Sequence, residues 1–375
     1  MSQSSAIVIG AGIAGLATAR ALALKGYSVT VFERSQQAVG ASIRNFGMIW
    51  PIGQPMGKLY ERAMRSRSIW QQVGDSGAFG YELAGSLHLA YHQDEKEVLE
   101  EFYGLERRSR DIEYLDPVEI LQRSGAVVGT GLMGGLYSAD ELIVDPREAI
   151  SSLPAYLSEK YNVAFQWGKC VSYVADQTVY IGNDEEFEVD LVVVCSGSDF
   201  ETLFPEAFAS YPLTKCKLQM MRLAAQPDGW RIGPALCGGL SLIHYKSFKA
   251  ASTLAKLNAR YAKEMPDYLD WGIHVMVSQN ESGELTIGDS HEYGMTHDPF
   301  DKEFINRMVL DYLKKFADLR NWNLIQSWNG IYSKLTNGDT DLFFSPEPGV
   351  YILNGLGGAG MTLAFGFAEE KIAEI

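Results

Sequence analysis

Cysteine is scarce in this 375-residue chain: Cys170, Cys195, Cys216 and Cys237 are the four, and none forms a Cys-x-x-Cys pair. A disulfide scaffold is thereby excluded, and no spacing of these thiols with the six histidines matches a metal motif, so the expectation is no metal and a reducing, cytoplasmic compartment. Positive charge is also in deficit, with 32 Lys and Arg against 47 Asp and Glu, a net charge of −15. Such a surface repels phosphodiester backbones and anionic headgroups, which argues against nucleic acid or membrane docking, and any site for an anion must be locally cationic. Long apolar runs are few. The stretch from Ala6 to Leu24 approaches membrane-span length, but it is rich in Gly and Ala and contains Arg20, so a strand, turn and helix explain it better than a transmembrane segment. The opening MSQSS lacks the basic flank and cleavage pattern of a signal peptide. Repeats and low-complexity tracts are absent too.

What the chain does have is 46% hydrophobic and 21% charged residues with 37 glycines, the composition of a globular protein of two domains or of one domain with an inserted lobe. Ala6–Ile9 is a β-branched run ended by Gly10, Ile13–Lys25 has helical spacing up to Gly26, and Ser28–Phe32 is a second strand. This β-α-β unit carries Gly10-x-Gly12-x-x-Gly15 at its first turn and Glu33 after its second strand. Gly10 permits the tight turn, Gly12 lets a pyrophosphate approach the backbone, and Gly15 lets the helix pack on the strand. The helix start, with Ile13 and Ala14, offers free N–H groups to phosphate, and Glu33 accepts from an adenosine ribose. An acid at position 33 disfavours a 2′-phosphate, although Arg34 follows it.

Three later segments continue the nucleotide signal. Gly40-Ala41-Ser42-Ile-Arg44-Asn45-Phe46-Gly47 is a loop of small and polar residues suited to a pyrophosphate and a flavin edge. Asp190 leads into Leu191–Val194, a fully apolar strand that ends in Cys195-Ser196-Gly197, as a buried parallel strand does where it meets a cofactor. Near the other end of the chain, Val350–Leu353 runs into Asn354-Gly-Leu-Gly357-Gly358-Ala359-Gly360-Met361-Thr362 and a helix to Ile375. A second helix N-terminus has a use in a flavin protein, since it can stabilise negative charge on the reduced ring; a NAD-dependent dehydrogenase has no comparable need.

On these motifs, with Val144-Asp-Pro146 and the Gly283–Asp289 hairpin, the chain resembles the FAD-dependent oxidoreductases of the D-amino acid oxidase superfamily, which includes glycine oxidase and sarcosine oxidase. Gly288–Gly294 and Trp328-Asn-Gly330-Ile-Tyr332 resemble more narrowly a bacterial subgroup associated with aminophosphonate breakdown. The resemblance implies an α/β fold: a Rossmann-like FAD-binding domain made of 1–80, 141–211 and 335–375, and a discontinuous α+β substrate domain of 81–140 and 212–334 on a mixed, largely antiparallel sheet. It also adds Val171 and Gly330 to the cofactor set. The implied reaction is oxidation of a small amine by hydride transfer to flavin N5, giving an imine that hydrolyses to a carbonyl compound, with oxygen or a quinone or other carrier as acceptor.

The chain departs from these relatives in one place. Where those acting on amino acids carry an arginine after a Trp-x-Gly segment, this chain has Tyr332 and Lys334. A lysine is a point charge rather than a planar clamp, so 2-aminoethylphosphonate or its N-methyl derivative is the substrate expectation, with glycine, sarcosine or a D-amino acid as the alternative. The other reading of Lys334 is a solvated loop residue. Without a cysteine after Cys237, FAD should be noncovalent. Cys195 reads as a packing residue rather than a redox thiol. Substrate-site candidates are Lys334, Tyr332, His244, His274 and Arg44; His244 and His274 lie in apolar runs read as strands, and Arg44 could equally contact phosphate. His291 reads as a loop-orienting residue, His88 and His92 as the outward face of a strand, and the charges from Asp94 to Arg110 as a solvated helical face. A flavin-bound tRNA-modifying or interaction protein is disfavoured by the acidic charge.

Overall fold

Ser5–Ile9 forms β1, Ile13–Leu24 forms helix α1 and Ser28–Glu33 forms β2 of a computed structural model that describes residues 3–182 and 185–375. Of the MSQSS start, Met1 and Ser2 lie outside the described residues. β1 is the middle of a six-stranded sheet, paired in parallel with β2 on one side and with Leu191–Val194 on the other. Val350–Asn354 extends the sheet in parallel beyond Leu191–Val194, Leu342–Glu347 adds an antiparallel edge, and Ala164–Trp167 closes the far side next to β2. Helices cover one face of the sheet and the antiparallel strands Val171–Ala175 and Thr178–Ile181 of a small three-stranded sheet cover the other, so its central strands read as unbroken Val and Ile runs rather than alternating ones. Arg20, the charge inside the first apolar run, is buried and paired with Glu369 of the Gly360–Glu374 helix at 2.5 Å. The first and last helices of the chain are thus packed together. No described helix is long and apolar enough to cross a membrane.

The second sheet has nine strands. Its longest members, Leu213–Leu223 and Leu324–Leu335, pair antiparallel along their whole length. The hairpin of Met276–Gln279 and Leu285–Gly288 lies beside them, followed by Ala235–Cys237, Ser86–Ala90, Gly134–Ser138 and Ile112–Leu115. One contact, Ala235–Cys237 with Ser86–Ala90, is parallel, so the sheet is mixed and largely antiparallel. The helices Leu254–Glu264 and Glu303–Leu313 stand where apolar residues recur at helical spacing and pack into the core of this sheet.

Four local expectations are corrected. The Ser241–Lys246 run is a helical turn, Leu240–His244, and not a strand. A Cβ on Gly239 would lie 2.3 Å from the Tyr261 hydroxyl, so the chain passes close under that helix and turns there; a short apolar run does not by itself distinguish strand from helix. His274 precedes the Met276–Gln279 strand instead of lying in it. His88 does not face outward: Ser86–Ala90 is covered on both faces, Phe248 meets the ring edge-on at 5.1 Å, and burial pushes its pKa down to about 3. His92 is the N-cap of the Gln93–Glu106 helix, and that helix is not simply a solvated face, since Asp94 and Glu95 are buried against Arg260 at 2.6 and 3.0 Å.

Glu141 directly precedes the Leu142–Val144 strand and meets the Ser86–Ala90 strand of the nine-stranded sheet. It is fully buried and accepts from the Ile52 N–H and the Ser86 hydroxyl, each at 2.9 Å, and burial pushes its carboxyl up to about 7 from 4.5. The folded state therefore holds this proton where the unfolded chain releases it, so the contribution of Glu141 to stability is present below about 4.5 and lost as pH rises through about 7. Melting temperatures of wild type and Glu141→Gln measured from pH 5 to 8 should show a smaller decline for the variant; equal slopes would refute the assignment.

Candidate active site

Parallel strands put their carboxyl ends on one edge, and here that edge gathers Gly10 after β1, Glu33 at the end of β2, Cys195 after Leu191–Val194 and Gly355 after Val350–Asn354. Between this edge and the Leu213–Leu223 and Leu324–Leu335 strands lies a cavity of about 420 Å³. Its lining includes Gly10, Gly12, Ile13, Ala14, Glu33, Arg34, Ala41, Ser42, Arg44, Asn45, Val171, Cys195, Ser196, Gly197, Gly330, Tyr332, Gly357, Gly358, Gly360 and Met361.

At one end, Glu33 accepts from the Ala11 and Ser35 N–H groups, both at 3.0 Å. Each carboxylate oxygen keeps a further lone pair for a ribose hydroxyl. The Arg34 guanidinium is paired with Asp199 at 2.9 Å, which draws it away from any 2′-phosphate. Asp199, Lys169, Cys170 and Thr202 also line this end and were not singled out in the sequence, where they belong to no glycine motif.

In the middle, Gly10 has φ +105° and a Cβ there would lie 2.4 Å from the Cys195 carbonyl oxygen. Ser42 Oγ accepts from the Ile13 N–H at 2.9 Å, so the Ala41–Ile43 turn lies over the start of α1. Gly15 is behind the cavity: a Cβ would lie 1.8 Å from the Gly10 carbonyl oxygen, and its role is packing α1 onto β1. Cys195 is buried, 3.6 Å from Thr18 Oγ1, and burial pushes its thiol up to about 12, the surroundings of a packing residue. Asn354 is the polar residue that sequence reasoning did not place in the site. It donates to the Gly197 carbonyl at 2.9 Å and accepts from the Gly355 N–H at 2.7 Å and the Ser333 hydroxyl at 2.5 Å.

Besides Gly15, four of the expected cofactor residues are outside the lining. Phe46 packs toward Gly288 and Met220, and its carbonyl accepts from Ser278 at 3.1 Å. Gly47, at φ +74°, passes the Val144 carbonyl too closely for any side chain. Thr362 accepts from the Trp50 N–H at 2.9 Å behind the turn, and Ala359 sits in the turn between lining residues.

At the other end, Tyr332 is buried opposite Cys216, and burial raises its phenol well above the ordinary value. Arg44 donates to the Asn329 carbonyl at 3.1 Å. Lys334 is not in the lining: its Nζ donates to the Tyr293 hydroxyl at 2.8 Å. His244 and His274 are likewise outside it, and they meet His291 instead, with ring centroids 3.7 Å apart for His244–His274 and 4.8 Å for His244–His291. Burial lowers the pKa of His291, and Asp289 is buried beside it.

The arrangement accommodates an extended dinucleotide. Gly197 and Gly357 have positive φ and open space where a Cβ would project, Gly12, Ile13 and Ala14 at the start of α1 line the cavity although the Ile13 N–H is not free but taken by Ser42, and Glu33 closes the far end. Two glycine-rich turns and an apposed antiparallel sheet define a flavin-dependent oxidoreductase. The chain belongs to the DAO family of FAD-dependent oxidoreductases, whose family model matches residues 5–374, and its cofactor is FAD.

Among sequence relatives, it is 28% identical over 252 residues to the bifunctional tRNA 5-methylaminomethyl-2-thiouridine biosynthesis protein of Chromobacterium violaceum, covering 63% of this chain and 36% of that one. The chain thus spans about a third of the length of that relative. An opine oxidase subunit of Agrobacterium tumefaciens is 23% identical over 361 residues, with coverage of 90% and 84%. In fold, glycine oxidase from Bacillus cereus superposes with a TM-score of 0.78 at 15% identity, covering 99% of this chain and 94% of that one. L-proline dehydrogenase from P. horikoshii gives 0.77 at 19% identity, with coverage of 99% and 92%.

Replacing Glu33 by Ala removes the acceptor of two backbone N–H groups and of the ribose. We expect FAD affinity to fall by at least about tenfold, ~1.4 kcal/mol, in a flavin titration of the apoprotein. Unchanged affinity would remove Glu33 from the cofactor site.

Proposed function

We propose that this protein oxidises a small amine that carries an anionic group. The observation that carries the reading is a single cavity with both glycine-rich turns at its cofactor side and Tyr332 and Arg44, from the opposed strand and the flavin loop, at its inner end. FAD, when bound, accepts the hydride. The protein's own groups position the donor: Tyr332 presents its hydroxyl beside Gly358, where a built Cβ would be 3.3 Å away, and buried apolar neighbours keep water from that end. An amine that binds unprotonated needs no further base. FAD is held noncovalently in this reading, since the cysteines that line the cavity are Cys170 and Cys195 and the latter is a deeply buried, poorly ionised thiol.

The lobes divide, on this proposal, into a cofactor part of 1–80, 141–211 and 335–375 and a substrate part of 81–140 and 212–334. Free cysteines at all four positions fit a reducing compartment such as the cytoplasm.

Tyr332 where an amino acid oxidase would carry an arginine, with Arg44 rather than Lys334 as the cation at that end of the cavity, favours 2-aminoethylphosphonate or its N-methyl derivative. Glycine, sarcosine or a D-amino acid is the second reading, supported by the superposition on glycine oxidase. The amine named in the tRNA-modifying relatives is also a methylaminomethyl group, but a net charge of −15 does not favour an RNA substrate here. Oxygen and a quinone or other carrier both remain candidate acceptors.

An anaerobic screen decides among these. Aminophosphonates should bleach the flavin absorbance fastest, and Arg44→Met, in the cavity wall, should raise KM several-fold more than it lowers kcat. Bleaching only by glycine, sarcosine or D-amino acids would overturn the phosphonate assignment, and a colourless protein that binds NADH would overturn the flavin amine reading as a whole.

A further inference from the structure

The three imidazoles of His244, His274 and His291 come from separate segments: the end of the Leu240–His244 turn, the lead-in to Met276–Gln279 and the loop after Leu285–Gly288. Each offers one ring nitrogen, and these nitrogens lie within 4.8 Å of one another. The Asp289 carboxylate borders this group, with Oδ1 at 2.9 Å from His274 Nε2 and Oδ2 at 3.9 Å from His291 Nε2.

Two features set this group apart from ordinary core histidines. The first is tautomeric. His291 Nδ1 is 2.8 Å from the Gly272 carbonyl, which can only accept, so Nδ1 holds the proton and Nε2 turns a lone pair toward the cluster. A backbone carbonyl fixing the outer nitrogen is the usual way a metal-binding imidazole is oriented. The second is incomplete satisfaction. His274 Nδ1 and Asp289 Oδ1 are both buried and lack a hydrogen-bond partner; the 2.9 Å approach of His274 Nε2 to Oδ1 is not aligned as a hydrogen bond. Among the described residues, no Lys or Arg lies within 4 Å of Asp289, and Lys334 is turned to Tyr293. A buried carboxylate beside the lone pair of His291 Nε2, with no Lys or Arg to neutralise it, calls for a cation.

We propose that His244, His274, His291 and Asp289 form a binding site for one divalent transition metal ion, with zinc as the best-matched probe. Neutral imidazole and carboxylate are borderline ligands of the kind that zinc accepts, in a tetrahedron with metal–nitrogen distances of about 2.0–2.1 Å. The nitrogens must therefore draw together on binding. His244 is the member free to do so, since it ends a five-residue turn and is exposed, and the same exposure gives the ion a route in. Three imidazoles would leave a position that Asp289, water or an anionic oxygen of a ligand can fill. The site stands on side-chain geometry alone and is independent of the amine reading above.

The test uses the FAD-loaded protein after dialysis against a chelator. Titration with Zn²⁺ by calorimetry and with Co²⁺ by its visible ligand-field bands should show one ion per chain, and Zn²⁺ should raise the melting temperature. His244→Ala, at an exposed position, should weaken metal affinity at least about tenfold, as should His291→Gln, while Cys170→Ser should leave it unchanged. Circular dichroism and flavin content would establish that each variant is folded, and His244→Ala decides alone should His291→Gln fail that check. Absence of stoichiometric binding, binding indifferent to His244→Ala, or stabilisation by inorganic phosphate without any metal would each overturn the proposal.

Discussion

Asn354 holds together the three strand ends on which the cofactor side of the cavity depends. Its side chain bonds the carbonyl of Gly197, the N–H of Gly355 and the hydroxyl of Ser333, so one amide ties the second glycine turn to the segment after the Leu191–Val194 strand and to the long antiparallel strand of the nine-stranded sheet. Those segments are distant in the chain, and Asn354 and Ser333 are themselves buried. Buried amides of this kind matter through the cost of leaving their partners unsatisfied more than through any single bond.

Much of the cofactor lobe was legible in the sequence because local signals agreed there. Glycines stood where positive φ or close backbone approach was required, as at Gly10 and Gly15, and apolar periodicity changed from strand to helix at the expected residues. The substrate lobe was less legible. His88 looked outward because an antiparallel strand usually has a wet face, whereas this one is covered on both sides. His244 sat in an apolar run too short to separate strand from helical turn. The grouping of His244, His274 and His291 has no sequence signature, since it is made by a turn, a strand lead-in and a loop that only the sheet topology brings together.

The acidic balance of the chain also takes on a spatial meaning. Several of its acids are not spread over the surface but engage specific cations: Glu369 with Arg20 and Arg65, Glu370 with Lys58 and Arg62, and Asp94 and Glu95 with Arg260. Exposed pairs among these add little to stability, but Arg20, Arg62 and Arg260 are largely shielded and would be costly to leave alone.

The pairing of the first helix with the last one has a consequence for how the molecule is made. β1 and β2 are made before their other neighbours: the strand on the other side of β1 is Leu191–Val194 and the next is Val350–Asn354, followed by the Gly360–Glu374 helix whose Glu369 meets Arg20. Until those later segments emerge, the nascent chain carries an open apolar sheet edge and an unneutralised arginine. The early-made β-α-β unit must wait for partners far along the chain, which makes this a fold of long-range closure rather than of sequential assembly.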